Sequence, residues 1–200
     1  ANFQMFWTSL RPFLADNTKA LAQLDEIREG FQDAMEQELE RMWTSKLGLT
    51  TFDPMLLREL LRLMVRTKAD YTIFFRQLAH IPDELSVLKK SFYEPSSEQL
   101  DAEWTDWLHR WRSQVVNTGD VAEVSASMKR VNPSVTWREW LIAPAYQQAE
   151  KGGHRLVHEL QKVFSHPYDG LPPDLVATYD RLKPKAFFNA GGVSHYSCSS

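Results

Sequence analysis

The stretch Asp53-Pro54-Met55-Leu56-Leu57-Arg58-Glu59-Leu60-Leu61-Arg62-Leu63-Met64-Val65 sets the fold class. Asp53 offers a side-chain oxygen to the first free amides of a helix. Pro54 follows with its φ already fixed for the first helical position and no amide to leave unpaired. Leu56, Leu57, Leu60, Leu61, Met64 and Val65 then recur at the three- and four-residue steps that line one helix face. Arg58, Glu59, Arg62 and, one turn on, Arg66 fall outside that stripe and read as a solvated or interdomain face.

The same period extends in both directions. Upstream, Leu21, Leu24, Ile27, Phe31, Met35, Leu39 and Met42 line one face of a long helix, which Gly48 is placed to stop. Downstream, Ser96 and Gln99 have capping-box spacing, and Leu100, Trp104, Trp107, Leu108 and Trp111 follow on one face. A short helix is predicted over Val121–Lys129. Asn132-Pro133 repeats the cap-then-proline signal before Trp137, Trp140 and Leu141, and Pro144 is expected to end or kink that helix. Gly152-Gly153 is a break, and Leu156, Val157, Leu160, Val163 and Phe164 form the last clear stripe. From Ser165 on, Pro167, Pro172, Pro173, Pro184 and Gly191-Gly192 predict a mostly irregular tail. No run alternates with the period of a strand, so the chain reads as all-α.

Composition narrows the function. Two hundred residues fit one domain or a large part of one. A formal net charge of −3, with no basic block interleaved with aromatics, argues against a nucleic-acid or membrane-surface role. No apolar stretch approaches a membrane span. The opening Ala1-Asn2-Phe3-Gln4-Met5-Phe6-Trp7 lacks the charged region and cleavage pattern of a signal peptide and reads as a cut through a longer protein. The single cysteine excludes a disulfide framework within the chain, which suits a reducing compartment.

Few residues offer chemistry. His154 and His158 are four apart and would share a helix face, but Arg155 stands where the zinc-protease pattern needs Glu, and no third ligand is evident. Trp104, Trp107 and Trp111 could stack bases, yet a helical stripe of this kind belongs to a core. Asp70, in Ala69-Asp70-Tyr71-Thr72, is either a functional carboxylate or a cap and buried hydrogen-bonding group, the latter favoured by local backbone bonding. Cys198, third from the end, has three open fates: pairing with a cysteine outside the chain, serving as a free redox group, or staying inert. His195 would favour its thiolate only if the tail folded back. There is no Gly-x-Gly-x-x-Gly, no Gly-x-x-x-x-Gly-Lys-Ser/Thr, no His-Arg-Asp and no Asp-Phe-Gly to cradle phosphates or hold a metal.

Several segments, in order, resemble the selenoprotein O family. Ala69-Asp70-Tyr71-Thr72 after the leucine-rich helix is similar to its Ala-Asp-(Phe/Tyr)-Thr segment. Met128-Lys129-Arg130-Val131-Asn132-Pro133 resembles its Met-x-x-x-Asn-Pro. Ala145-Tyr146-Gln147-Gln148-Ala149-Glu150-Lys151-Gly152 resembles its Ala-Ile-x-x-Ala-Glu-x-Gly, and His166-Pro167-Tyr168-Asp169 carries its Pro-Tyr pair. Ser197-Cys198-Ser199-Ser200 resembles its ending, where selenocysteine or cysteine stands third from last. Ser134 to Trp140 departs from the family's usual Lys-Tyr-Val-Leu-Arg-Asn, and Pro184 to Val193 is also atypical.

The resemblance implies a protein-kinase-like fold with ATP held in a flipped orientation. It implies transfer of AMP to Ser, Thr or Tyr hydroxyls of proteins, with Mg²⁺ or Mn²⁺. The nucleotide-binding Lys, the metal-binding Asp and Asn and the catalytic Asp would lie upstream, so this chain is expected to hold no catalytic, cofactor-binding or metal-binding residue. Residues 1–165 would be the helical C-terminal part of the catalytic domain, and residues 166–200 an irregular tail. Cys198 would be the redox residue, pairing with a cysteine near the activation-loop region. The implied partners are protein substrates with hydroxyl side chains and the upstream lobe of the same protein, with no nucleic acid and no membrane. The implied compartment is the cytoplasm in a bacterium or the mitochondrion in a eukaryote. Two readings stay beside it: a stand-alone helical interaction module, and a thiol redox protein, ranked last for want of a Cys-x-x-Cys.

Overall fold

The computed structural model describes residues 2–117 and 119–188. They form helices joined by turns, with one isolated backbone bridge between Ala69 and Phe92 and no strand among the described residues. The chain divides into two compact units, Ala1–Trp43 and Thr44–Ser200.

The first unit holds α1 (Asn2–Leu10), a 3₁₀ turn at Arg11–Leu14 and most of α2 (Thr18–Leu47). Asn17 Oδ1 accepts from Ala20 N–H at 3.0 Å at the start of α2. Trp7 is buried and donates its indole N–H to the Leu24 carbonyl at 3.0 Å. The guanidinium groups of Arg11 and Arg28 lie 4.7 and 4.8 Å from its ring centroid, a cation–π arrangement that also places Arg11 beside Asp25. Phe3 stacks on Phe31 at 3.6 Å. The long helix is where the period placed it, but of its stripe only Leu24 is buried, while Ile27, Met35, Leu39 and Met42 are exposed.

The second unit is built on α3 (Pro54–Thr67), α4 (Tyr71–Leu78), α5 (Leu85–Leu88), α6 (Glu98–Val116) and α7 (Val121–Val131). Gly48 ends α2 at φ +65°, a left-handed conformation that L side chains adopt only with strain. Asp53 caps α3 as expected, accepting from Met55 N–H at 3.1 Å and Leu56 N–H at 2.9 Å. The face that α3 buries is Leu56, Leu57, Leu60, Leu63, Met64 and Thr67. Leu61 and Val65, expected on that stripe, lie at its edge and are exposed. Leu63 takes the buried place because the covering side chains centre on the Leu56–Leu60 line.

Trp104, Trp107 and Trp111 are fully buried and form the centre of this core. Trp107 stacks on Trp111 at 6.0 Å and meets Trp104 edge-on at 5.9 Å; Phe74 and Phe92 close the cluster. Burying each indole contributes about 4–6 kcal/mol by transferred area, an upper bound set against an extended chain. Trp107 donates to the Leu56 carbonyl at 2.9 Å and Trp111 to the Leu47 carbonyl at 2.8 Å. The second bond satisfies one of the carbonyls that the end of α2 leaves without a helical partner.

Three local expectations differ. The cap of α6 is Ser97, whose hydroxyl accepts from Leu100 N–H at 3.3 Å, while Ser96 donates to Asp101. The helix therefore starts at Glu98, one residue later than a Ser96 cap implies. Asn132 does not open a helix. It closes α7, and the next helix, α8 (Glu139–Glu150), begins only after an extended loop. Pro144 lies inside α8 rather than ending it. It removes one amide donor from the helix, and its neighbours Ala143 and Ala145 are both buried.

α8 packs on α9 (Arg155–Phe164), and α10 (Pro173–Tyr179) adds to them, followed by a 3₁₀ turn at Lys185–Phe187. Val135, Trp140, Leu141, Ala145, Leu160, Val163 and Tyr179 form this second core. The described part of the segment after Ser165 is thus less irregular than its prolines suggest, since Pro173 serves as a first helical residue. Val121–Val131 forms a helix two residues longer than expected.

Candidate functional site

The Asp70, Asn132 and Pro167-Tyr168 motif segments meet in one polar belt of the second unit. Asp70 stands at its centre as the N-cap of α4, accepting from Ile73 N–H at 3.1 Å. Its carboxylate also receives Arg138 in a two-pronged pair, Nη1 to Oδ2 at 2.5 Å and Nη2 to Oδ1 at 2.8 Å. The two side chains are 8% and 13% exposed, so the pair is largely withdrawn from water. Tyr93 O–H donates to Asp70 Oδ2 at 3.3 Å and accepts from the Lys183 backbone N–H at 3.0 Å. Loss of water around Tyr93 pushes its phenol up from the ordinary value. Thr72 and Thr136 hydroxyls meet at 3.1 Å.

Asn132 makes a reciprocal link to the end of α2. Its Oδ1 accepts from Lys46 Nζ at 2.7 Å, and its Nδ2 donates to the Lys46 carbonyl at 2.9 Å. Both residues are buried, and burial lowers the pKa of the Lys46 ammonium, which also sits over the rings of Phe75 and Tyr71. Met128, one turn before, is fully buried against Gly48, where a Cβ would come within 2.6 Å of its Sδ. The Met128 and Asn132 spacing therefore fixes how α7 leaves the core. Ser134 then holds the Pro-Tyr segment, its N–H donating to the Pro167 carbonyl at 2.7 Å and its hydroxyl to the Asp169 carbonyl at 2.6 Å. Arg76 gathers the carbonyls of Lys129, Asn132 and Tyr168 at 3.2–3.3 Å.

The belt's side chains are engaged with one another and with the backbone. Asp70 is the cap and buried hydrogen-bonding residue, with both oxygens engaged. Asp180 lies nearby, its carboxyl raised by desolvation against the opposing pull of Arg138, Lys90 and Arg76. Sequence reasoning missed Arg138, Arg76 and Lys46. A buried aspartate calls for a cation, but that cation is 68 residues away and in the stretch where the family pattern is lost.

The other candidates stand apart from the belt. His154 is the N-cap residue of α9 and His158 lies in its first turn; among the described residues no three His, Cys, Asp or Glu are placed to hold a metal. Trp104, Trp107 and Trp111 are core. Glu59 pairs with Arg110, and Arg62 and Arg66 with Glu103, on the surface between α3 and α6. An apolar cleft of about 470 Å³ between α8 and α9 is lined by Trp137, Ile142, Tyr146, Val157 and Phe164, with no charged side chain. No helix among the described residues is long and apolar enough to cross a membrane. Cys198 and His195 lie outside the described residues.

Comparison with known proteins places these motifs. The family model described as protein adenylyltransferase SelO matches residues 1–165. A protein nucleotidyltransferase YdiU of Aromatoleum aromaticum is 34% identical over 175 residues, covering 82% of this chain and 33% of its own length. That of Tolumonas auensis is 32% identical over 181 residues, covering 86% of this chain and 34% of its own. That of Methylobacillus flagellatus is 31% identical over 180 residues, with 85% and 34% covered. The chain thus spans about a third of the length of these curated relatives. With the motifs in family order and the model matching more than four fifths of its residues, the chain belongs to the SelO protein adenylyltransferase family.

Proposed function

We propose that this chain is the C-terminal helical part of a protein adenylyltransferase that moves AMP from ATP to Ser, Thr or Tyr hydroxyls of other proteins. The family match over residues 1–165 carries the reading. In the reaction a protein hydroxyl oxygen attacks the α-phosphorus of ATP. The bond from that phosphorus to the bridging oxygen breaks, pyrophosphate leaves with the bonding pair, and the hydroxyl proton passes to a base. A divalent cation, Mg²⁺ or Mn²⁺, would stabilise the charge on the phosphates. The groups that hold nucleotide and metal are assigned to the part of the longer family protein outside this chain. The role assigned to residues 1–165 is to hold the helical side of that domain rigid, with the Asp70–Arg138 and Lys46–Asn132 links as its ties. The end of the family match at residue 165 supports a division there from a tail, 166–200.

For Cys198 the proposal is reversible pairing with a cysteine elsewhere in the longer protein. A small disulfide would take up the two electrons and two protons of the two thiols. The experiment is a comparison of this 200-residue chain with the longer protein, each incubated with labelled ATP, Mg²⁺ or Mn²⁺ and a protein acceptor. Only the longer protein is expected to label the acceptor. Labelling by the 200-residue chain would overturn the assignment of catalysis to the rest of the protein.

A further inference from the structure

The segment after α10, Arg181-Leu182-Lys183-Pro184-Lys185-Ala186-Phe187-Phe188, does not prolong the helix. Pro184 has no amide donor and biases Lys183 away from the helical region; Pro184 itself is extended, at ψ 142°. The Lys183 amide is left without a helical acceptor and donates to Tyr93 Oη at 3.0 Å. The segment's other hydrogen bonds, from Arg181 Nε, Phe187 N–H and Phe188 N–H, run to carbonyls three residues back. Among the described residues, one bond therefore ties it to the belt. Its remaining holds are rings. Phe187 lies 6.2 Å from Trp140 and Phe188 5.9 Å from Tyr93, and the Arg181 guanidinium sits 5.2 Å over Trp140. No residue of the segment is fully buried, and Phe188 is 52% exposed. Tyr179, just before it, is buried and donates to Glu159 Oε1 at 2.7 Å. The segment is anchored firmly at its root and lightly along its length. Lys183 forms one wall of a cleft of about 320 Å³ that Asp70, Thr72, Tyr93, Arg138 and Trp140 also line.

We propose that residues 181–188 are a strap, latched by the Tyr93 hydroxyl, that opens as a unit about the end of α10 and bares the cleft over the Asp70–Arg138 pair. A segment with few buried contacts and an accessible hydrogen bond opens at a free energy below that of global unfolding. The hinge falls at Asp180, the C-cap of α10. The Tyr93 hydroxyl works in both directions, accepting from Lys183 and donating to Asp70. Opening breaks the first bond. Asp70 keeps Arg138 and the Ile73 amide, so the belt beneath stays closed. Trp140 and Tyr93 lose their covering groups Phe187, Arg181 and Phe188, and the Arg138 side of the cleft opens to solvent. The strap is also the covalent link between the belt and residues 189–200, so an attachment formed there acts on the belt through the Tyr93 latch. The device belongs to this chain and does not depend on the proposed activity or on the pairing of Cys198.

Native-state amide hydrogen exchange on the 200-residue chain, read residue by residue by NMR at low urea concentrations, tests the strap. A local opening exposes little surface and barely responds to urea, whereas global unfolding responds steeply. After correction for intrinsic rates, the Lys183 amide is expected to exchange by the urea-insensitive route, about a hundredfold faster than Ile73 and the core amides of Trp107 and Leu160. Tyr93→Phe keeps the ring under Phe188 and removes the accepting oxygen. It is expected to speed Lys183 exchange about five- to tenfold and leave Leu160 unchanged. Phe188→Ala, at an exposed site, is expected to speed it about two- to tenfold. Modification of Arg138 by phenylglyoxal, located by peptide mass mapping, should rise in Phe188→Ala by the same factor as Lys183 exchange. Lys183 and Ile73 exchanging together with the same steep urea dependence would overturn the strap. A Lys183 rate unmoved by both variants would overturn the latch and the ring seats. Faster Lys183 exchange with no change at Arg138 would overturn the opening of the cleft.

Discussion

Arg138→Met removes the guanidinium that grips Asp70 while keeping an unbranched side chain of similar reach. What remains is a carboxylate in a site 8% exposed, with one backbone amide and the Tyr93 hydroxyl as its donors. Taking one partner from a buried ion pair costs about 3–5 kcal/mol, because the other charge is left without compensation. For a domain of this size that corresponds to a fall in Tm of about 6–20 °C. Urea unfolding followed by tryptophan emission measures it, since Trp104, Trp107 and Trp111 report the adjoining core. Adding Asp70→Asn to the same protein is expected to recover most of the loss. Asparagine still caps α4 and leaves no unpaired charge. The double variant should lie within about 1–2 kcal/mol of the native chain. A loss below about 1 kcal/mol for Arg138→Met, or a double variant equal to the sum of the singles, would refute the reasoning.

Trp111→Phe is expected to cost about 1–2 kcal/mol more than Trp104→Phe, because it strands the Leu47 carbonyl while the buried Trp104 indole has no hydrogen-bond partner to lose among the described residues; chemical denaturation of both checks this. Gly48→Ala should cost about 2–4 kcal/mol by adding left-handed strain to a clash, since its Cβ would meet Met128 Sδ and Val124 Cγ1 within 3 Å. Restoring space with Met128→Ala should not rescue it fully, because the backbone strain persists. Asp180→Asn should raise Tm at neutral pH. Desolvation holds the folded carboxyl above the unfolded value of about 3.9, so native stability falls as pH rises through that interval, and the penalty is complete above it. Melts from neutral pH to about pH 3 should show the advantage vanish in acid.

Elements whose causes are local were legible. Asp53 and Pro54 named the start of α3, Gly48 the end of α2, and the indole spacing the core of α6, because each signal lies within a turn or two of its effect. Ser96 and Ser97 both had an acceptor oxygen, and only the surrounding chain decides that Ser96 turns to Asp101. Asn132 repeats Asp53's pattern of a capping residue before a proline, yet it is claimed by Lys46, 86 residues away, and the backbone stays extended. Pro144 shows packing overriding propensity. Asp70 was readable as a cap; its main partner was not, because Arg138 is brought to it only by the fold. The outward face of α2 was readable as a stripe, but periodicity cannot say whether anything in this chain covers it.

The most direct test of the functional account divides the two ends of ATP. The longer protein is incubated with Mg²⁺ or Mn²⁺, a protein acceptor and ATP labelled at either the α- or the γ-phosphate, with this 200-residue chain alone as the control. The account expects acceptor labelling from the α-label, none from the γ-label, release of pyrophosphate, and no labelling in the control. Labelling from the γ-phosphate would make the protein a phosphotransferase and contradict the account.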